Sequence, residues 1–192
     1  MQIMLLGGPV MWPLLLISIL ALAVIVERAF VILPVRAPRG LTAGSSRTEI
    51  LKMLEGAHES FGLFREAAAE ARPDEIRLTA AGEDVVSKLD ARLSLLAALS
   101  KTATLLGLLG TILGMIDTFA VVSETQSGID MALLAQGLWQ ALITTAAGLI
   151  IAIPTSLALA YYQGRVRDVA HFLTLSGNLL LDAGRKPKGE AS

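Results

Sequence analysis

The chain has 192 residues, 54% of them hydrophobic, and a mean hydropathy of +0.63. That exceeds what the core of a soluble domain of this size needs and predicts a membrane protein. The net charge of −1 gives no indication of nucleic-acid binding, and the absence of cysteine excludes disulfides, thiolate metal sites and cysteine nucleophiles.

The first apolar segment contains no charged residue before Glu27 and Arg28. It is long enough to supply the ~20 helical residues that cross a bilayer core of about 30 Å. A cleaved signal peptide would instead begin with basic residues and end at a small-residue cleavage site, whereas this segment opens uncharged. We therefore expect an N-terminal segment at 1–8 and a transmembrane helix at 9–32.

Residues 33–101 are predicted to be a cytoplasmic helical region. Ser46-Arg47-Thr48-Glu49 has the form of a capping box and predicts a helix start, with Pro73 as its end. Apolar residues at steps of four and three favour packing against other helices; they are Ile50, Leu54, Ala57, Phe61, Phe64, Ala68 and Ala71. A further stripe from Asp74 onward predicts one helix that continues into the second span.

Two further spans are predicted at 102–122 and 134–161, joined by a loop at 123–133. The third lies in a run of 34 uncharged residues, 131–164, in which Pro154 is a candidate bend. It is expected to continue into a cytoplasmic helix and tail at 162–192. The fold class is an all-α membrane protein with three transmembrane helices, two of them extended into the cytoplasm as a helical bundle.

Orientation follows from the basic residues. All 16 lysines and arginines lie between Arg28 and Lys101 or after Gly164. The positive-inside rule then predicts a periplasmic N-terminus and a cytoplasmic C-terminus in a bacterial inner membrane, with membrane lipids as surroundings.

Small and hydroxyl side chains recur along spans two and three. In such stripes helix backbones approach closely, and the candidate packing residues are Gly107, Gly110, Gly114, Gly148 and Pro154. Thr111 and Thr145 each fall near the middle of a span, so their hydroxyls are expected at one depth, where copies of the chain would form a polar passage for water and protons. Close packing alone is the alternative interpretation.

Spans two and three contain one ionisable residue, Asp117, about 9 Å outward of Thr111 along the helix. Gln140 is predicted at nearly the same depth. A hydrogen bond between the two and an Asp117 that reaches outside water are equally weighted alternatives. The candidate pore-lining residues are Thr111, Thr145, Thr144, Gln140 and Asp117, and the moving proton would need a carboxylate from a partner helix.

Three motifs resemble the MotA/TolQ/ExbB proton channel family, with ExbB and TolQ as the nearest branches. They are Gly7-Gly8-Pro9-Val10-Met11-Trp12-Pro13-Leu14 with Glu27-Arg28, Gly107-Leu108-Leu109-Gly110-Thr111-Ile112-Leu113-Gly114-Met115, and Ala141-Leu142-Ile143-Thr144-Thr145-Ala146-Ala147-Gly148-Leu149 with Ala152-Ile153-Pro154.

The resemblance implies a homopentamer around an ExbD/TolR-like single-span partner whose aspartate carries protons. It also implies that proton motive force is converted into mechanical work on a TonB- or TolA-like protein that spans the periplasm. Threonines at the positions of Thr111 and Thr145 face the family's pore. Gln140 departs from the family, which frequently has a glutamate there.

Two alternatives remain from the sequence. A membrane scaffold that assembles a partner helix without conducting ions would share the same spans and packing stripes. An enzyme is disfavoured, because His58 and His171 are the only histidines and neither a metal-ligand motif, a serine-nucleophile motif nor a phosphate-binding glycine loop occurs. No cofactor and no metal are expected.

Overall fold

The computed structural model describes residues 8–38, 40–42, 44–70, 73–124 and 131–185. Predictions for residues 1–7, for 125–130 of the loop and for 186–192 of the tail lie outside this part of the chain. The helices are α1 (Met11–Ile32), α2 (Arg47–Glu55), a 3₁₀ turn (Glu59–Phe61), α3 (Gly62–Ala69), α4 (Glu75–Asp90), α5 (Leu93–Glu124) and α6 (Met131–Arg185).

The described residues contain no strand, which confirms the all-α prediction. Within the described ranges, three helical stretches are long and apolar enough to cross a membrane: Met11–Ile32, a stretch within Glu75–Ala120 and a stretch within Leu134–Gly184. Three spans were predicted in these parts of the sequence.

The chain forms two compact units. The first comprises Met1–Val26 and Arg92–Ala160, and the second comprises Glu27–Ala91 and Tyr161–Ser192. Both α1 and α6 contribute residues to each unit.

In the first unit, α1 buries one narrow face. Leu14, Ile17, Ala21 and Val24 are at most 7% exposed and recur at steps of three and four. The opposite face is equally apolar, and Leu16, for example, is 62% exposed. A helix that is apolar on all sides while burying only one of them is suited to lipid on the others.

The second unit has a core of large side chains. Phe61 and Phe172 meet edge to face, with ring centroids 6.1 Å apart and planes at 84°. Phe64 packs over Gly82 of α4, where an added Cβ would lie 3.8 Å from its ring. Leu173 lies 3.9 Å from the same point, so α3, α4 and α6 share this core.

The predicted helix from Ser46 to Pro73 is broken into three pieces. The capping box is present, since Ser46 Oγ accepts from the Glu49 N–H at 3.3 Å and Glu49 Oε2 accepts from the Ser46 N–H at 2.9 Å. However, α2 ends at Gly56, whose N–H bonds to Lys52 O and Leu54 O. His58 Nδ1 then accepts from the Ser60 N–H and caps a new turn. The predicted continuous helix was therefore wrong, because local caps end it early.

The prediction of one helix from Asp74 into the second span was also wrong. The helix breaks at Ala91 and Arg92, and Arg92 has a left-handed φ of 65°. Arg28, only 6% exposed, donates from Nη1 to Ala91 O at 2.8 Å and to Lys88 O at 3.4 Å. A charged donor thus satisfies carbonyls that a continuing helix would have bonded. No glycine or proline marks the break.

The predicted continuation of the third span into a further helical segment is present, because α6 runs without interruption past Tyr161 to Arg185. Pro154 lies inside this helix with an exposed side chain.

Candidate functional site

The half of the α5–α6 contact nearer the start of α5 is built from glycines. An added Cβ on Gly107 would lie 3.3 Å from the Cα atoms of both Thr145 and Gly148. An added Cβ on Gly148 would lie 2.7 Å from Ala103 O and 3.0 Å from the Gly107 Cα. These neighbours are backbone atoms that cannot move aside, so the two helices approach as closely as only glycine permits.

The half of the contact nearer the end of α5 continues in the same register. Gly114 faces Ala141, whose Cβ would lie 3.2 Å from an added Cβ. Gly110 faces Thr144 in the same way, and Gly137 faces Thr118. Because residue numbers rise on α5 as they fall on α6, the helices are antiparallel. Four of the five predicted packing residues, all except Pro154, therefore lie at this contact.

Two threonines border the contact at one level. Thr145 Oγ1 donates to the Gly107 carbonyl across the helix pair at 2.9 Å, and its side chain is half-buried. Thr111 is half-buried too and donates to Leu108 O of its own helix at 2.6 Å. In the register of the contact, Thr111 and Thr145 lie within about one residue of each other, or roughly 1.5 Å along the axis.

They also lie on the same side. At ~100° per residue, Thr111 is turned about 60° from the centre of the α5 contact stripe, and Thr145 is turned by the same angle from the centre of the α6 stripe. Since the helices are antiparallel and face each other, equal turns of the same sign bring both residues to one flank of the pair.

Two serines that were not predicted extend this flank toward the start of α5. Ser100 Oγ donates to Ala152 O at 3.1 Å and lies 2.6 Å from Ser156 Oγ. Thr104 lies between these levels, exposed, and donates to Ser100 O at 3.2 Å. We call Thr111, Thr145, Thr104, Ser100 and Ser156 the hydroxyl row. The sequence contains a signal for Ser100, because Ser100 precedes Thr104 by one helical turn and so extends the stripe of small and hydroxyl residues.

Thr144 has a different environment from its neighbour. Its side chain is 0% exposed, lies against Gly110 and donates to Gln140 O at 2.9 Å. The predicted pore-lining hydroxyl of Thr144 is therefore enclosed within the helix pair of one chain.

Asp117 and Gln140 do not share the surface of the hydroxyl row. By the same helical geometry they are turned about 60–80° to the opposite flank. Asp117 is exposed, and within the described part of the chain it makes no hydrogen bond to Gln140. An added Cβ on Gly8 would lie 2.5 Å from Gln140 Nε2, so this flank is approached by the chain before α1. The five predicted residues thus divide among two flanks and the contact between them.

Comparison with known proteins matches the part of the sequence that forms this contact. The model of the MotA/TolQ/ExbB proton channel family matches residues 48–174, which include the hydroxyl row and the whole α5–α6 contact. The chain belongs to the MotA/TolQ/ExbB proton channel family.

Relatives of this chain include biopolymer transport proteins and a Tol-Pal system protein. The biopolymer transport protein exbB1 of Vibrio cholerae is 36% identical over 165 residues, covering 77% of this chain and 72% of the relative. A putative ExbB-like protein of Synechocystis is also 36% identical, with 77% and 64% covered. The Tol-Pal system protein TolQ of Pseudomonas aeruginosa is 33% identical over 104 residues, with 54% and 44% covered.

The family membership and the three apolar helices make this chain a multi-pass membrane protein of a proton channel family, several relatives of which are named biopolymer transport proteins.

Proposed function

We propose that the chain is a subunit of an ExbB/TolQ-like proton channel in the bacterial inner membrane. With an ExbD/TolR-like single-span partner, it converts proton motive force into mechanical work on a TonB- or TolA-like protein. The observation that carries the proposal is the hydroxyl row on one flank of the α5–α6 pair. Hydroxyls both donate and accept, so such a row supports water and proton movement between apolar helices.

The row needs neighbours to become a passage. Thr111, Thr145, Thr104 and Ser156 all keep exposed or half-exposed side chains within this chain. Several copies with this flank turned inward would surround a shared polar lining, and a homopentamer is the assembly that the family resemblance favours. Glycine contacts between α5 and α6 are suited to a channel lining, because they hold the two helices together without filling the space beside the lining.

The row lacks an ionisable side chain. The proposal therefore assigns the proton-carrying carboxylate to the partner helix, inserted where the rows of several copies converge. Asp117 is turned to the other flank, so in this arrangement it acts outside the lining. Replacing Asp117 with asparagine is expected to retain assembly and to lower transport. Unchanged transport would remove Asp117 from the mechanism.

The proposed topology places the N-terminus in the periplasm and the C-terminus in the cytoplasm. It is supported by the positions of the basic residues, all of which would then lie at or beyond the cytoplasmic membrane surface. The second unit accordingly becomes the cytoplasmic part of the protein.

The decisive experiment changes single hydroxyls in the row. The chain is purified with its single-span partner, reconstituted in liposomes and tested for proton uptake under an imposed potential. Thr145→Val and Thr111→Val should each remove most of the uptake, because the isosteric side chain cannot exchange hydrogen bonds with water. Thr145→Ser, which keeps the hydroxyl, should retain it.

Thr155→Val is the matched control on α6. Thr155 is 2% exposed and donates to Ile151 O at 2.7 Å, so its hydroxyl has no route to a lining. Full uptake in both row variants would remove these hydroxyls from the proton path, whereas no uptake by the wild-type complex would support the non-conducting scaffold. That alternative has an observation of its own, since Thr111 and Thr145 both bond backbone carbonyls as structural threonines do.

A further inference from the structure

A pocket of about 470 Å³ lies in the second unit beside the end of α1. Leu33, Arg36 and Ala37 line it from the segment after α1, and Tyr161 and Arg165 line it from α6. No part of the proposed transport mechanism uses these residues.

Arg165 is held in place at the wall of this pocket. Its Nη2 donates to the carbonyl of Val35 at 2.9 Å, and Val35 is itself 2% exposed. Its Nε is buried and has no hydrogen-bond partner among the residues that the structure describes. Buried donors without an acceptor are rare and costly, so this guanidinium is positioned with binding capacity unused.

The pocket carries uncompensated positive charge. Its lining includes two guanidinium groups and no carboxylate. Neither Arg36 nor Arg165 takes part in the ion pairs found among the described residues. Guanidinium groups bind phosphate through planar pairs of N–H donors, so the chemistry of the lining selects an anionic, phosphate-bearing ligand.

The position of the pocket identifies the source of that phosphate. Leu33 follows the last residue of α1, and Arg165 is the first charge after the uncharged run 131–164. Tyr161 is 52% exposed, and tyrosine is enriched at the level of lipid headgroups. Leu33 and Phe30, 46% and 79% exposed, provide adjoining apolar surface for an acyl chain.

We propose that Arg36, Arg165 and Tyr161 form a binding site for the headgroup phosphate of an anionic phospholipid in the cytoplasmic leaflet. The site rests on the membrane placement proposed above. It holds one lipid at the point where α1 leaves the membrane beside α6, in agreement with the general preference of basic pockets between membrane helices for anionic lipids.

The test measures lipid retention by the full-length chain. The protein is delipidated in detergent, titrated with phosphatidylglycerol or phosphatidylcholine, and analysed by native mass spectrometry. We expect phosphatidylglycerol to be retained in preference to phosphatidylcholine. Arg36→Gln and Arg165→Gln should each weaken retention about fivefold, the effect of removing one basic residue near an anionic lipid.

Arg167→Gln is the matched control, because Arg167 is exposed on the same helix and does not line the pocket. Equal losses in the control and the pocket variants, equal retention of both lipids, or displacement of phosphatidylglycerol by millimolar inorganic phosphate would each overturn the proposal. If Arg165→Gln fails to fold, Arg36→Gln decides, since Arg36 is exposed and outside the core. The readout is independent of proton uptake, so its failure and that of the transport proposal are distinguishable.

Discussion

The α5–α6 contact of the first unit is made by glycine, alanine and threonine, whereas the core of the second unit is made by phenylalanine, leucine and valine. Gly107 and Gly148 bring two backbones together, while the rings of Phe61 and Phe172 fill the space between the 3₁₀ turn and α6. Each unit is helical, so secondary structure does not distinguish them.

The difference follows the proposed placement of the first unit in lipid and of the second unit in water. In lipid, burying a large apolar side chain gains little, because the surroundings are equally apolar, and close contact between small residues holds helices together. In water, removing large apolar side chains from solvent is the main driving force. The same chain therefore uses small residues at the helix contacts of the first unit and large apolar residues at those of the second unit.

The largest expected effect tests the second unit. Phe61→Ala should cost about 3–5 kcal/mol of stability, because Phe61 is 0% exposed and its removal leaves a cavity beside Phe172. Unfolding of the detergent-purified protein, followed by circular dichroism with increasing denaturant, measures this. Leu63→Ala is the control, since Leu63 is 52% exposed on the neighbouring helix. Similar losses in both variants would contradict a core centred on Phe61.

The next effect tests the first unit. Gly148→Ala should cost about 1–3 kcal/mol, because the new methyl group meets the Ala103 carbonyl and the Gly107 backbone. Its thermal midpoint in detergent should fall below that of the wild type. Gly82→Ala makes the same change in the second unit, where the nearest atoms are 3.8 Å away, and should be tolerated. A larger fall in thermal midpoint for Gly82→Ala than for Gly148→Ala would contradict the proposed difference in packing between the two units.

A smaller effect is expected from the cap of α2. Ser46→Ala removes the acceptor for the Glu49 N–H and should cost about 1 kcal/mol. Hydrogen exchange of the amides in Arg47–Glu55 would detect the weakened helix end. Ser46→Asp keeps an acceptor at this position and should restore protection. Loss of protection in both variants would show that the hydroxyl acts in another way.

The smallest effect concerns the exterior of the second unit. Asp84→Asn removes the partner of Lys88 one helical turn away and should cost about 0.3–0.5 kcal/mol. Because exposed pairs are screened by salt, the difference from wild type should disappear when denaturation is repeated at high ionic strength. A persistent difference would indicate that Asp84 contributes through packing.

Composition and periodicity predicted the three apolar spans and the all-α class, because hydrophobic runs of bilayer length are strong signals. They also indicated the glycine stripes, whose spacing is visible in the sequence. The two helix breaks escaped prediction. Arg28 and Ala91 are far apart in the sequence, and the bond that ends α4 is formed only after folding.

The site was predictable to a similar degree. Sequence spacing marked Thr111 and Thr145 but treated adjacent threonines alike. Whether Thr144 or Thr145 is enclosed depends on how α6 is rotated about its own axis relative to α5. One amino-acid sequence does not determine this rotation. This rotation encloses Thr144 and leaves Thr145 half-buried. Asp117, in contrast, lies six residues beyond Thr111 on the same helix, so the sequence spacing alone turns it about 120° away from the hydroxyl row.

The bond from Arg28 to the end of α4 also affects how the protein can be divided. A fragment that starts just after the first span would lack this guanidinium, and the carbonyls of Lys88 and Ala91 would lose their donor. Water-soluble pieces intended for crystallisation or antibody production should therefore retain the chain from Glu27 onward. The boundary of the second unit thus lies inside a helix rather than in the linker that follows it.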